Sequence, residues 1–409
     1  MGYGFTAVLL GAVLAARGFS PVEVGVVLTG LIAGTAVASL AVGAWADRFG
    51  RRRCYGVFFV GLAVAGVVVA AGAPLWVLLV VAATGTLSTD VIDNGPATTL
   101  EQAMLATEDA GTAAVYGRYN MVGAAAGALG ALSVTLTGLG HGRGAAGGGW
   151  LFAVLVPVGL AGVVIASRLS PAVETRPEAA SGGGRARARL GGSRLVVRRM
   201  AGLFAVDAGA SGLVTTGFLS YYFSERYHVP VAALGWLFFA VSVVQAVSVA
   251  VAPVLARRFG LVATMVGTHL PSNVLLASVA FAPTFPVAAG LLLARTTLSQ
   301  MDVPARQALV MTVVSAEERT AAAAVTNAAR YTVRPAGPLI AAAVQQVALG
   351  APLLVAGTVK AGYDCALWLW AGRLPLNRAT AAAQAPSAEG QPIAVADQSP
   401  GTGDEGGMR

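Results

Sequence analysis

Long apolar runs, divided by short polar or Gly/Pro breaks, make up most of the chain between residues 2 and 371. Most runs are about 17–25 residues long, and an α-helix of that length crosses a hydrocarbon core about 30 Å thick. The pattern therefore predicts an all-α membrane protein with twelve transmembrane helices. Their approximate spans are 2–18, 22–44, 54–72, 75–95, 112–138, 150–168, 199–223, 231–255, 261–281, 284–303, 320–348 and 351–371.

The two halves of this pattern repeat each other. Ala46-Asp47-Arg48-Phe49-Gly50 matches Ala256-Arg257-Arg258-Phe259-Gly260, which lies 210 residues later. Glu101-Gln102-Ala103 matches Arg306-Gln307-Ala308 at a similar offset. Because the order of the matching segments is kept, we predict a duplicated six-helix unit, that is, two pseudo-symmetric six-helix bundles.

The same pattern divides the chain into four parts: an N-terminal bundle (1–169), a linker (170–198), a C-terminal bundle (199–372) and a tail (373–409). The linker is rich in Gly, Ala and Arg, so we expect it to lie poorly ordered on an anionic membrane surface. The tail has the composition of a disordered cytoplasmic segment. Helix 7 projects through the repeat to a position upstream of Met1, so we expect helix 1 to be truncated at its cytoplasmic end.

Composition agrees with a protein embedded in the lipid bilayer. The chain is 56% hydrophobic and 11% charged, whereas soluble domains carry about 25% charged residues. The net charge of +8 comes from arginines in short loops, so we expect no nucleic-acid partner. Cys54 and Cys365 have no metal-ligand spacing, and no nucleotide-binding loop or nucleophile motif is present. We therefore expect no cofactor, no metal and no enzyme activity.

The distribution of arginine predicts the orientation. The outside loops hold Arg17, Arg143 and Arg226, and most other loop arginines fall on the opposite side. Positive residues favour the cytoplasmic face. We therefore place both termini in the cytoplasm and the protein in the plasma membrane. The inside loops are 46–53, 96–111, 169–198, 256–260 and 304–319.

One acid and four arginines are packed into the connection between the second and third apolar runs. A neighbouring helix can approach closely at Gly43, and Gly50 permits a tight reversal into the next helix. Asp47 can accept hydrogen bonds at a helix N-terminus and pair with an arginine. The residues of this signature are Gly43, Asp47, Arg48, Gly50, Arg51 and Arg52.

The spacing of these residues resembles the signature loop between helices 2 and 3 of the major facilitator superfamily. The resemblance implies two six-helix bundles around a central cavity and secondary transport of a small molecule by alternating access. It also implies that Asp47 and Arg48 lock the cytoplasmic gate when the inward side is closed. Helix 5 lacks the proline of the antiporter branch of that family, which argues against drug–proton antiport.

Several ionisable residues fall within the predicted spans, where each costs about 2.5–3.5 kcal/mol or more and needs a partner or a wet cavity. We take them as candidates for a substrate or proton pathway, and internal pairing between acids and bases is the alternative. The candidates are Asp90, Asp93, Arg118, Asp207, Arg295, Arg330, Arg334 and Asp364.

Arg330 and Arg334 are four residues apart, so they share a face of helix 11. At 1.5 Å per residue, Arg330 lies about 16 Å into that helix, near the membrane midplane. Pro335 and Pro338 follow, and we expect a kink there. The pair is our best candidate for a site in the second half. The alternative is that these arginines neutralise Asp364 and only hold helices together.

The acids suggest a route for protons. Asp207 has no basic residue within one turn, so we expect it to be unpaired and able to carry a proton, unless it stays permanently protonated and hydrogen-bonded. Asp90 and Asp93 share a face of helix 4 and could share one proton, or one of them could contact Arg118. His269 in helix 9 is interpreted as a satisfied packing residue rather than a proton relay.

The sequence thus predicts a monomeric secondary transporter driven by protons, since no ATPase motif is present. Export of a drug-like or natural-product solute is the first interpretation. Uptake of an organic anion, bound by Arg295, Arg330 and Arg334, is the second. A membrane receptor or scaffold that transports nothing is the third.

Overall fold

The computed structural model describes residues 2–88, 95–105, 113–136, 149–174, 192–314 and 318–371. Within these ranges the secondary structure is helical and contains no β-strand. The predictions for Asp90 and Asp93, for most of the linker and for the tail lie outside the described residues. The same holds for the side chains of Asp47 and Arg118.

The first half contains seven helices within the described ranges. They are α1 (Gly2–Ala16), α2 (Pro21–Phe49), α3 (Arg51–Ala70), α4 (Leu75–Ala83), α5 (Pro96–Leu105), α6 (Ala113–Leu136) and α7 (Leu155–Arg168). Local sequence fixes several boundaries. Ser20 and Glu23 form a capping box at the start of α2, and Gly50, at φ 93°, separates α2 from α3.

The second half follows the same order. Its helices are α8 (Arg194–Gly212), α9 (Thr216–Tyr227), α10 (Val231–Phe259), α11 (Leu261–Val279), α12 (Phe285–Ser299), α13 (Asp302–Thr312), α14 (Arg319–Val333), α15 (Gly337–Gln345) and α16 (Ala351–Ala371). Gly260, at φ 87°, separates α10 from α11 as Gly50 separates α2 from α3. The repeat seen in the sequence is therefore present in the local backbone.

Each of the twelve predicted spans contains at least one helix of the structure. Six helical segments among the described residues are long and apolar enough to cross a membrane, and two more apolar helices, Gly2–Ala16 and Met121–Thr135, are shorter. The described residues of both halves fall within one compact unit, residues 1–374. The predicted domain boundaries, including the truncation of helix 1, stay predictions.

Two predicted loops were wrong in part. Residues 96–111 include α5, and residues 304–319 include most of α13. The second predicted loop contains Arg306, whose charge is costly inside a membrane unless it is paired. In the structure Arg306 is buried and paired with acids, so the helix continues through it.

The seventh and eleventh predicted spans, called helix 7 and helix 11, are each interrupted in the structure. Helix 7 begins at Arg194 rather than Arg199. It breaks between α8 and α9, where Thr215 Oγ1 accepts a hydrogen bond from the Phe218 N–H at 3.2 Å. The predicted kink in helix 11 is confirmed, because a 3₁₀ turn over Arg334–Ala336 separates α14 from α15. The two breaks adjoin each other, since Gly212 lies against the backbone of Arg334 and Gly337.

Among the described residues, three helix pairs make most of the contacts between the halves: α1 with α9, α2 with α15, and α6 with α10. Ser220 donates a hydrogen bond of 2.5 Å to the Val8 carbonyl. Gly25 lies against the Pro338 carbonyl, and Gly235 lies against the Ala131 carbonyl. Gly25 and Gly235 lie near the first residues of α2 and α10, and the opposite ends of these helices lead to Gly50 and Gly260. The described contacts therefore close the molecule at the end opposite Gly50.

Candidate functional site

A cavity of about 440 Å³ lies in the second half of the chain, among α8, α10, α12, α13, α14 and α16. Along α10 its lining residues are closer to Gly260 than the contact that joins the halves. Ser242 and Gln245 line the cavity, whereas Gly235 makes the inter-half contact. The cavity thus lies on the Gly50 side of the closed end.

Asp207 on α8 is the centre of a buried ion-pair cluster. Its Oδ1 accepts a hydrogen bond of 2.6 Å from Lys360 Nζ on α16, and its Oδ2 accepts one of 3.2 Å from Arg306 Nη1 on α13. Asp207 is 2% exposed and Lys360 is 4% exposed. Charges this deeply buried are stable only when they are paired. Asp207 therefore holds three helices together through its two cations.

Arg306 is shared between two acids. The same Nη1 that contacts Asp207 also donates to Asp302 Oδ2 at 3.0 Å, one turn earlier on α13. The guanidinium carbon lies 5.7 Å from the centre of the Phe204 ring, a cation–π distance. Arg306 lines the cavity and also a second cavity of about 260 Å³ between α8, α13 and α14. It therefore stands at the junction of the two cavities.

Asp364 on α16 forms a second, connected part of the cluster. His269 Nδ1 on α11 lies 2.8 Å from Asp364 Oδ1, and Asn273 Nδ2 donates to Asp364 Oδ2 at 2.8 Å. The other ring nitrogen of His269 lies 3.8 Å from Asp207 Oδ1. His269 thus bridges two aspartates, and both Asp364 and His269 are buried.

Arg295 on α12 and Arg330 on α14 also line the cavity, but they differ from Arg306. Within the described part of the chain, the Nε atom of each is buried and has no hydrogen-bond partner. Among the described lining residues, cations outnumber carboxylates. The cations are Arg295, Arg306, Arg330, Arg334 and Lys360, and the carboxylates are Asp207 and Asp302.

The signature loop is anchored by the start of the linker and by the last residues of α7. The Glu174 carboxylate accepts hydrogen bonds from the backbone N–H of Arg51 at 2.8 Å and of Arg52 at 3.2 Å. The Arg52 side chain donates to the Ser167 carbonyl at 2.7 Å. Glu174 therefore caps the positive N-terminal end of α3 from a position 123 residues further along the chain. Arg48 is exposed.

Glu101 makes a second tie at this end. Its two carboxylate oxygens accept hydrogen bonds of 2.5 Å from Tyr55 on α3 and from Tyr119 on α6. The sequence repeat aligns Glu101 with Arg306. The two halves thus place opposite charges at repeat-related positions, and each charge ties its own helix to a neighbouring one.

Comparisons with known proteins decide the family. The sequence profile of the Major Facilitator Superfamily matches residues 1–338. The chain belongs to this superfamily. Its fold is similar to that of the nucleoside transporter NupG, with a TM-score of 0.69, 14% identity, and coverage of 90% of this chain and 94% of that one.

Two further matches differ in how much of this chain they cover. The xylose transporter XylE from E. coli, in an inward-open conformation, has a TM-score of 0.65 and 15% identity over 90% of this chain and 92% of that one. An uncharacterized membrane protein of Saccharomyces cerevisiae, YJR124C, is 29% identical over 145 residues, which are 35% of this chain. That match spans about a third of the yeast protein (32%). Membership of this superfamily makes the chain a multi-pass membrane protein of a transporter family, not of an enzyme family, and the solved transporters share its fold.

The structure brings four of the predicted pathway residues to the cavity of the second half, namely Asp207, Arg295, Arg330 and Arg334. The prediction that Asp207 is unpaired was wrong, because Lys360 and Arg306 reach it from helices distant in sequence. The alternative in which arginines neutralise Asp364 is replaced by the contacts with His269 and Asn273. His269 is satisfied, as interpreted from the sequence, but by acids rather than by packing alone.

Sequence reasoning missed the contributions of Arg306, Lys360 and Glu174. Asp302 and Arg306 are four residues apart, a spacing that signals a pair on one helix face. No local signal connects Lys360 with Asp207, or Glu174 with α3. The gate role of Asp47 and Arg48 stays a prediction, as does the pathway role of the predicted ionisable residues. Among the described residues, no group of three or more His, Cys, Asp or Glu could hold a metal ion.

Proposed function

We propose that this protein is a secondary transporter that binds a small organic anion in the second-half cavity and carries it across the plasma membrane by alternating access. The observation that carries the proposal is the pair of cavity arginines, Arg295 and Arg330, whose Nε atoms have no hydrogen-bond partner among the described residues. A buried donor without a partner costs about 1–3 kcal/mol, more for charged groups. A carboxylate or phosphate group on the substrate would accept the hydrogen bonds that such arginines offer.

The charges of the cavity support the same proposal. Asp207 and Asp302 are already engaged by Arg306 and Lys360. The remaining cations leave the lining with excess positive charge, which favours an anion over a neutral or cationic solute. This favours the second interpretation of the sequence, an organic-anion carrier, over export of a drug-like solute.

We place the Gly50 end in the cytoplasm because the signature arginines lie there. In this orientation the described state has its outer end closed. A membrane potential that is negative inside opposes anion entry by about 2.3 kcal/mol per charge and 100 mV. Co-transport of protons would offset that cost, so we propose proton-coupled uptake, with the aspartates of the ion-pair cluster and His269 as the candidate proton carriers.

A ligand screen on the detergent-solubilised full chain tests the proposal. Small carboxylates, phosphates and sulfonates are compared with neutral and cationic solutes of similar size by the shift in melting temperature. We expect stabilisation from anions, and proton-driven uptake of the stabilising anion in proteoliposomes. Stabilisation by neutral or cationic drugs alone would support export instead, and binding without any flux would support a receptor.

A further inference from the structure

Three hydroxyl groups in the cavity wall are oriented in the same way. Ser211 on α8 donates its proton to the Asp207 carbonyl at 2.9 Å, and Ser242 on α10 donates to the Phe238 carbonyl at 2.7 Å. Thr296 on α12 donates to the Leu292 carbonyl, also at 2.7 Å. In each case the acceptor is four residues earlier in the same helix.

A hydroxyl group has one proton to donate and two lone pairs that accept. Since the protons of Ser211, Ser242 and Thr296 are used within their own helices, these oxygens can act only as acceptors toward the cavity. A fourth hydroxyl, that of Ser299, is buried at the cavity wall and has no hydrogen-bond partner among the described residues. The wall therefore presents hydrogen-bond acceptors, and a complementary ligand carries hydrogen-bond donors.

Arg295 and Arg330 require hydrogen-bond acceptors on the ligand, because a guanidinium group only donates. Arg295 is adjacent to Thr296 and four residues before Ser299, so donors and acceptors alternate on α12. A ligand complementary to this wall has an acidic group for Arg295 and Arg330 and several hydroxyl protons for the neighbouring oxygens. A cavity of about 440 Å³ falls in the size range of small-molecule sites.

We infer that the substrate is a small polyhydroxylated carboxylate, of the hydroxy-acid or sugar-acid class. The inference rests on the proposed function, since it assumes that the arginine cavity binds the transported anion. It adds that the cavity recognises hydroxyl groups as well as charge.

Three probes separate the two contributions in binding measurements on the detergent-solubilised full chain. D-Gluconate carries a carboxylate and hydroxyl groups, hexanoate carries the carboxylate without hydroxyls, and D-glucose carries hydroxyls without charge. We expect D-gluconate to bind at least about tenfold more tightly than hexanoate or D-glucose, since it alone combines the charge with several hydroxyl hydrogen bonds.

Variants then test the named oxygens. Combining Ser211→Ala, Ser242→Ala and Thr296→Val should lower the affinity for D-gluconate at least about tenfold and leave that for hexanoate unchanged. The matched control is Thr297→Val. Thr297 donates to the Leu293 carbonyl at 3.0 Å in the same manner, but it is exposed and does not line the cavity. It should change neither affinity.

The outcomes distinguish this inference from the proposed function. Equal binding of hexanoate and D-gluconate overturns the hydroxyl inference and leaves the anion carrier standing. Binding of D-glucose as tight as that of D-gluconate overturns the anion proposal itself. Absence of binding by all three up to about 10 mM also overturns the inference. The comparison of probes on the unaltered chain stands even if the triple variant does not fold.

Discussion

Lys360 donates a hydrogen bond of 2.6 Å to Asp207, which lies 153 residues earlier in the chain. Both side chains are at most 4% exposed. The pair joins the last described helix, α16, to the first helix of the second half, α8. Arg306 joins α13 to the same aspartate, so one carboxylate fixes the relative position of three helices around the cavity.

We predict that Asp207→Asn destabilises the protein strongly, because it leaves Lys360 and Arg306 buried without their shared counter-charge. Removal of one partner from a buried ion pair costs about 3–5 kcal/mol. The check is the melting temperature in detergent. Adding Lys360→Met to Asp207→Asn should recover part of the loss. A single variant as stable as the parent would mean that the pair contributes nothing.

Glu174 offers a second prediction about stability. Glu174→Ala removes the cap from the N-terminus of α3 and should cost about 1 kcal/mol, while Glu174→Gln keeps one acceptor and should cost less. The measurement is again thermal unfolding, with the two substitutions compared in parallel. An alanine variant no less stable than the glutamine variant would show that the two backbone bonds to Arg51 and Arg52 are not the relevant contribution.

The signature loop carries a prediction about function. If the carboxylate acts in the gate, as the family resemblance implies, Asp47→Asn should abolish transport in proteoliposomes without lowering the melting temperature. The matched control is Arg257→Gln, since Arg257 is the repeat counterpart of Asp47 and is exposed. Normal flux through the Asp47 variant would remove the gating role.

A larger side chain between α2 and α15 should open the closed end of the molecule. Gly25 lies against the Pro338 carbonyl and the Ala342 side chain, so Gly25→Leu should prevent α2 and α15 from closing. A cysteine placed at Ser242, in a chain without Cys54 and Cys365, should then react at least about tenfold faster with a reagent added outside. Gly123→Leu, on α6 with open space around it, is the control. Unchanged labelling would contradict the assignment of this end as a gate.

Much of the fold could be predicted from the sequence, because the membrane constrains helix length so strongly. The spans, the repeat and the break before Gly337 follow from apolar runs and prolines. The interruption of helix 7 could not be predicted in this way. It adjoins the place where Gly212 lies against Arg334 and Gly337, at the turn between α14 and α15, and no local pattern records that contact.

The site was only partly predictable for the same reason. Charge inside an apolar run marks Asp207, Arg295 and Arg330 as unusual, but it does not say which of them are paired. Lys360, which pairs with Asp207, is on a helix far along the chain. Arg306 fell in a predicted loop, whereas α13 runs through it. Ion pairs between distant helices become visible only when the helices are packed.

The most direct test of the central claim is counterflow of a stabilising anion in proteoliposomes that contain the parent, Arg295→Gln, Arg330→Gln or the exposed-site control Arg199→Gln. If the cavity arginines bind the transported anion, the two cavity variants should each lose at least about tenfold in anion exchange, and Arg199→Gln should match the parent. Full exchange by both cavity variants, with folding unchanged, would contradict the account.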